Sequence, residues 1–362
     1  MPSLEVLSMS MIYGNIEALD DVTLRIEDKE YVCVIGPSGC GKSTLIKCIA
    51  GILQPTKGKV LIDGRSMEGI AIEDRGVGYV FQDIALFPHL TVRQNLSYGL
   101  TVRNALPTTI TNVTNEMLDL VGMRERPHSY PRELSGGAQQ KVAVGRAIAT
   151  GSRLFLLDEP LGALDALVRA ELRYELRKLA QDLGLTVIHV THDQEEALSI
   201  ADRVIIMKRG RIVEIGKPTD IYHSPRQLFT ENFVGETNLL EGTIVNVHEP
   251  ACSVKVGEHL FEVQDKGMHP GQRVVVAIRP EFVGVSESSQ GWSSRIKEIR
   301  FLGGITRYVV EDRDGLELIA QKTSDRSRLR VGDKAMVSVK SAEHMLLFDY
   351  PVEGLEKEIG LE

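Results

Sequence analysis

Short apolar runs alternate with amphipathic stretches through roughly the first 235 residues. "YVCVIG", "VGYVFQ", "LFLLDE" and "TVIHVTH" are brief and rich in β-branched or aromatic residues. "STLIKCIAG", "DALVRAELRYELRKLAQDLG" and "DQEEALSIA" instead space their apolar residues at helical intervals. Strand and helix taking turns in this way predicts a mostly parallel sheet with helices packed around it. From about residue 236 the pattern changes. "GTIVNV", "RVVVAIRP", "TRYVVEDRDGLELIAQ" and "AMVSVK" read as strands with turn signals such as "KGMHPG" and "EDRDG" between them. Several short strands with few helices predict a small β-barrel. The expected organisation is an α/β domain over 1–235, followed by a β-barrel domain over 236–362 joined near "VGETNLLEG".

Composition narrows the classes. The 362 residues are 43% hydrophobic and 25% charged, ordinary values for a chain that buries a core. The net charge of −8 offers no electrostatic reason to bind nucleic acid. No apolar run approaches the ~20 residues of a membrane span. The first residues, "MPSLEVLSMSMIYG", lack the basic start and long apolar centre of a secretory signal. Cys33, Cys40, Cys48 and Cys252 form no C-x-x-C pair, so reduced and buried thiols are expected.

Four strand ends carry candidate chemistry. "GPSGCGKST", Gly36 to Thr44, fits G-x-x-x-x-G-K-[ST] between an apolar strand and a helix, the context this phosphate-binding loop requires. The loop Gly36, Pro37, Ser38, Gly39, Cys40 and Gly41 can wrap phosphates with its backbone N–H groups, Pro37 having none to give; Lys42 can reach the β- and γ-oxygens, and the Ser43 hydroxyl can ligate Mg²⁺. "RLFLLDEP" ends in Asp158, placed to hold Mg²⁺ directly or through water, and Glu159, which can take a proton from an attacking water or polarise it. A D-E pair alone also fits an acidic helix start, but the apolar run before it and the upstream loop argue for the site. A lone histidine is more often structural than catalytic. His192, however, follows a strand end as Lys42 and Asp158 do, and ligands of open α/β sheets gather there. Gln82, after "VGYVF", joins the set by position. One loop is left over. "LSGGAQQ", with Ser135, Gly136 and Gly137, presents free N–H groups at a helix start but has no lysine behind it.

These motifs together resemble the ATP-binding subunit of an ABC transporter of the importer type. "GPSGCGKST" is similar to the Walker A loop, "VFQD" to the Q-loop, "LSGGAQQ" to the family signature, "LLDEP" to Walker B, "GALD" to the D-loop and "THD" to the switch histidine. The resemblance implies a P-loop nucleotide-binding domain with a helical subdomain near 83–150 and a small OB-like all-β regulatory domain. It implies ATP and Mg²⁺ as ligands, with Thr44 completing the Walker A set and Gln82 joining Ser43 and Asp158 at the metal. Tyr13 lies where the family stacks an aromatic on adenine. Asp165 is the D-loop carboxylate. Two copies would bind head to tail, Ser135 and Gly137 of one capping the γ-phosphate held by Lys42 of the other. That accounts for a glycine loop without its own lysine, and a carboxylate at Gly137 would oppose the partner's phosphate. Ala138 stands where most relatives carry Gln, which removes a side chain able to hold the ribose across that interface.

The same resemblance implies ATP hydrolysis coupled to import and a peripheral place on the cytoplasmic face of the membrane. Its partners would be integral membrane permease subunits and, indirectly, an extracytoplasmic substrate-binding protein, with no nucleic acid. The apolar cluster Ile84, Leu86, Phe87 and Leu90 is expected to form a groove for a permease helix. Other readings fare worse. A P-loop kinase has no use for "LSGG", a DNA-repair ATPase needs a long coiled coil before the signature, and a translation factor repeats the motif set. The tail resembles the regulatory domain of importers of sugars, polyamines, ferric iron, sulfate and molybdate. "VGETNLL" and "FLGGITRYVV" lean towards polyamine or ferric iron and away from sugars, with a sugar or oxyanion importer as the alternative.

Overall fold

The structure, a computed structural model, describes residues 3–162, 164–264, 267–287, 291–323 and 329–360. It divides into two compact units, one up to Ile221 and one spanning Tyr222–Gly360.

The first unit is built on a six-stranded sheet. In spatial order its strands are Arg211–Gly216, Arg203–Lys208, Tyr31–Ile35, Thr186–Val190, Leu154–Asp158 and Val77–Val80. All neighbours are parallel except the Arg211–Gly216 edge. Tyr31–Ile35, Leu154–Asp158 and Thr186–Val190 are buried along their whole length, which is why they read as unbroken apolar runs. Their carboxyl ends carry the phosphate loop, the acidic pair and His192.

A second, antiparallel sheet of four strands was not foreseen in the sequence pattern. Its order is Ile16–Ile26, Leu4–Tyr13, Lys57–Ile62 and Arg65–Ser66. Leu4–Tyr13 shifts register three times against Ile16–Ile26. Each bulge moves the inward face by one residue, so Leu4 and Val6 are buried and then Met9 and Met11, and the period of two is lost. Both sheets contribute to one core with the helix Lys42–Ala50.

Helices Val92–Val102, Pro107–Leu120 and Gly136–Ile148 form a separate small core around Leu96, Leu118 and Val142. Thr91 and Gln94 close a capping box at the first of these. Leu86 is part of that core, Ile84 packs against it, and Phe87 meets Tyr98 at a tilt with centroids 4.3 Å apart. Among the described residues no helix is long and apolar enough to cross a membrane.

The second unit holds two antiparallel five-stranded sheets. One orders as His259–Gln264, Ala251–Val256, Asn238–His248, Arg273–Ile278 and Met345–Asp349; the other as Val283–Ser286, Lys334–Val339, Trp292–Phe301, Ile305–Glu311 and Glu317–Thr323. They share a core containing Val254, Val276, Tyr308 and Val337, and the outer strands of the second sheet approach one another. The result is the barrel-like all-β arrangement expected of the tail. The helix Leu228–Phe233 precedes the expected join at 235, and its Leu228 packs on Val275, Ala277 and Phe348 of this unit. Glu231 on that helix forms a buried ion pair with Arg279 at 2.9 Å.

Candidate functional site

Lys42 begins its helix directly after Gly41, whose φ of 104° suits only glycine. A Cβ there would also meet the Ala18 carbonyl oxygen at 2.4 Å. The loop therefore closes tightly against the hairpin strand Ile16–Ile26. The buried Lys42 ammonium donates to the carbonyls of Gly36 and Pro37 at 2.8 and 2.9 Å, and lies 3.8 Å from Cys40 Sγ. Burial pushes the Cys40 thiol up from its usual range, against the pull of Lys42. Beside the loop lies a cavity of about 220 Å³ lined by Ala18, Ser38, Gly39, Gly41, Lys42, Ser43, Thr44 and Glu159.

Asp158 ends its strand only 3% exposed. Its Oδ1 accepts from Ser43 Oγ and its Oδ2 from the Tyr79 hydroxyl, both at 2.9 Å. A hydroxyl and a carboxylate meeting at one point form the oxygen donor set of a hard divalent cation.

Glu159 turns sharply out of the strand with φ of 47°, a left-handed conformation that costs a non-glycine residue about 1–3 kcal/mol. Its N–H donates to Val190 O at 2.9 Å, and its own carbonyl accepts from Gly162 N at 3.1 Å. The turn brings three strand ends together. Gln82 Nε2 donates to Glu159 Oε2 at 3.0 Å, and His192 Nδ1 lies 3.3 Å from the same oxygen. Gln82, Glu159 and His192, far apart in sequence, thus share one carboxylate at the cavity wall.

Two family models match the chain: that of the ABC transporter over residues 19–162, and that of the TOBE domain over residues 276–348. The spermidine/putrescine import ATP-binding protein of Rubrobacter xylanophilus is 38% identical, over 92% of this chain and 90% of its own. The chain belongs to the ATP-binding subunits of ABC transporters. The similarly named protein of Nitrosomonas eutropha is 35% identical over 97% of this chain and 100% of its own. Among solved structures, a dimeric post-hydrolysis state of the ATP-binding cassette MJ0796 bound to ADP and Pi aligns at TM-score 0.54 and 32% identity. That alignment covers 59% of this chain and 98% of the cassette. The chain is an importer-type ABC ATPase, and it binds and hydrolyses ATP.

The signature loop of this ABC ATPase lies apart from the cavity: none of Ser135, Gly136 or Gly137 lines it. Ser135 caps the helix Gly136–Ile148, its Oγ accepting from Ala138 N at 3.3 Å. Ser135 and Gly136 are exposed, whereas Gly137 is buried. A Cβ on Gly137 would meet Val168 Cγ1 of the chain's own helix Ala166–Asp182 at 2.8 Å. The expectation for a carboxylate at Gly137 therefore changes, because it would first have to move the Val168 side chain of that helix. Ala138 packs on the small helical core. Asp165 caps the helix Ala166–Asp182 through Val168 N at 3.1 Å; in the "GALD" run, Ala163 lies outside the described residues. Tyr13 is 43% exposed at the end of its strand and does not line the cavity.

Two features went unread in the sequence. Ala18 and Tyr79 reach the site from strands whose pattern signals only burial. Beneath His192 lies a buried polar network. The Tyr31 hydroxyl sits 2.9 Å from His189 Nδ1, and His189 Nε2 lies 3.4 Å from Glu196 Oε1. Thr191 Oγ1 donates to Glu196 Oε2 at 2.5 Å and accepts from Asp193 N at 3.0 Å.

Proposed function

We propose that this ATPase energises a polyamine importer, working as a head-to-tail pair of chains beneath integral membrane permease subunits at the cytoplasmic face. The relatives' names support the polyamine reading, and the dimeric MJ0796 cassette supports the pairing. An extracytoplasmic binding protein would deliver the substrate. The β-rich part, proposed as a regulatory domain over 236–362, contributes none of the residues in the site.

The observation that carries the chemistry is the Glu159 carboxylate at the cavity wall, held by Gln82 and His192. In this reading, water attacks the γ-phosphorus, the bond from that phosphorus to the β,γ-bridging oxygen breaks, and Glu159 accepts the water's proton. ADP and phosphate leave. Lys42 exchanges its loop carbonyls for β- and γ-phosphate oxygens, while N–H groups of Ser38 to Thr44 surround the phosphates. Mg²⁺, for which Ser43, Asp158 and the side-chain oxygen of Gln82 are the proposed ligands, would offset phosphate charge. Ser135 and Gly136 of a second copy, with the N–H of its Gly137, would close over the γ-phosphate. Asp165 would stand at the same interface, and Tyr13 at the adenine. Ile84, Phe87 and Leu90 are proposed to face the permease.

Uptake assays in cells lacking this gene test the substrate. Restoring the gene should restore labelled spermidine or putrescine uptake, and the Glu159→Gln form should not. Restored ferric iron or sugar uptake with no change in polyamine uptake would contradict the reading.

A further inference from the structure

Asp158 is nearly buried, so both oxygens of its carboxylate need donors. Ser43 supplies one from the phosphate loop. The other comes from Tyr79, on the strand Val77–Val80 that runs parallel to the Asp158 strand at the outer side of the sheet. Tyr79 pairs with Leu156, two residues before Asp158, so the phenol reaches forward along the sheet to the carboxylate. Its ring is wedged against Phe81, centroids 4.5 Å apart, and packs on the main core. Little freedom is left for the hydroxyl to choose another partner.

We infer that Tyr79 is a positioning residue for the divalent cation: its hydroxyl fixes the Asp158 carboxylate so that the opposite oxygen faces Ser43. The inference rests on the assignment of Ser43 and Asp158 to the cation. The Tyr79 hydroxyl is the donor of this bond, because an ionised carboxylate only accepts. A carboxylate held at one oxygen by a rigid phenol keeps the other oxygen in place when the Ser43 hydroxyl turns from donating a proton to offering its lone pair. Without Tyr79, Oδ2 loses the donor that fixes it, and the carboxylate can rotate away from Ser43. Removing a hydrogen bond of this supporting kind typically weakens a metal site 10–100-fold. No general loss of nucleotide binding should follow, because Tyr79 does not line the cavity and the Lys42 ammonium donates to Gly36 and Pro37 instead.

The test is calorimetric titration of ATP at a series of free Mg²⁺ concentrations and in EDTA, in a Glu159→Gln background so that hydrolysis is slow during the titration. Tyr79→Phe keeps the ring and removes the hydroxyl. It should raise the Mg²⁺ concentration for half-maximal enhancement of ATP binding by roughly 10-fold or more. ATP affinity in EDTA and the melting temperature of the nucleotide-free protein should stay near those of the parent. Tyr79→Met, apolar and of similar reach, must reproduce the Mg²⁺ shift. Added to Asp158→Asn, Tyr79→Phe should have no further effect. An unchanged Mg²⁺ requirement in folded Tyr79→Phe or Tyr79→Met protein overturns the inference. So does an equal loss of affinity in EDTA, which would make Tyr79 a general support of the loop. If Asp158→Asn itself leaves the Mg²⁺ requirement unchanged, the cation assignment fails instead, and Tyr79 falls with it.

Discussion

A histidine sealed from solvent gains a proton less readily in the folded chain than in the unfolded one. His189 is in that position. Burial pulls its pKa below the ordinary value, the approach of Glu196 opposes this, and Arg173 adds to it. Tyr31 and Thr191 complete the surroundings. With the folded pKa lowered, the unfolded chain binds more protons below about pH 6.5, so acid draws the equilibrium towards unfolding. The contribution is absent above that pH and grows as pH falls towards the folded pKa. His189→Gln keeps a polar partner for Tyr31 but cannot titrate. Its melting temperature should fall less steeply than the parent's between pH 6.5 and pH 5. About 2–4 °C per kcal/mol is the expected scale. Parallel slopes would mean that His189 is not an acid-sensitive group. At this scale the sequence was informative about residue types at strand ends and silent about geometry. Lys42, Asp158 and His192 follow apolar runs and could be read as neighbours. The left-handed turn at Glu159 and the reach of Tyr79 depend on backbone angles and side-chain directions, which no local pattern encodes.

At the scale of elements, the signature helix separates two duties that one glycine loop seemed to share. Gly137 is favoured because the Val168 side chain of the helix Ala166–Asp182 lies where a Cβ would fall. Ser135 is exposed and needs only to cap its helix. Ser135→Asp should therefore keep the helix, since Asp and Ser cap comparably well. The new carboxylate would face outward. Opposed to a partner's phosphate at ~4 Å it costs about 4 kcal/mol at an effective dielectric of ~20. ATP affinity of the single chain should be unchanged, while ATP-induced pairing and turnover should fall by at least roughly 10²-fold. A variant that pairs and hydrolyses normally would remove the signature loop from the shared site. The parallel strands were legible because burial on both faces leaves unbroken apolar runs. Leu4–Tyr13 was not, because its bulges scramble the alternation that marks a one-faced strand. The helix Pro107–Leu120 escaped notice for a related reason: "PTTITNVTNE" places β-branched and polar residues where a helical stripe is sought.

At the scale of the molecule, one unit carries the whole nucleotide cavity, while its signature loop stands outside that cavity with its serine exposed. In the proposed reading, a chain so arranged holds ATP alone and takes a second copy to complete the site. The central claim is that Glu159 performs the hydrolytic step within such a pair. The most direct measurement is light scattering of Glu159→Gln protein with Mg²⁺ and ATP, paired with its turnover rate. Removing the base while keeping the side-chain shape should slow hydrolysis by ~10²–10⁴, and a stable ATP-bound dimer should accumulate where ADP leaves monomers. Near-normal turnover, or a protein that stays monomeric with saturating ATP, would contradict the account.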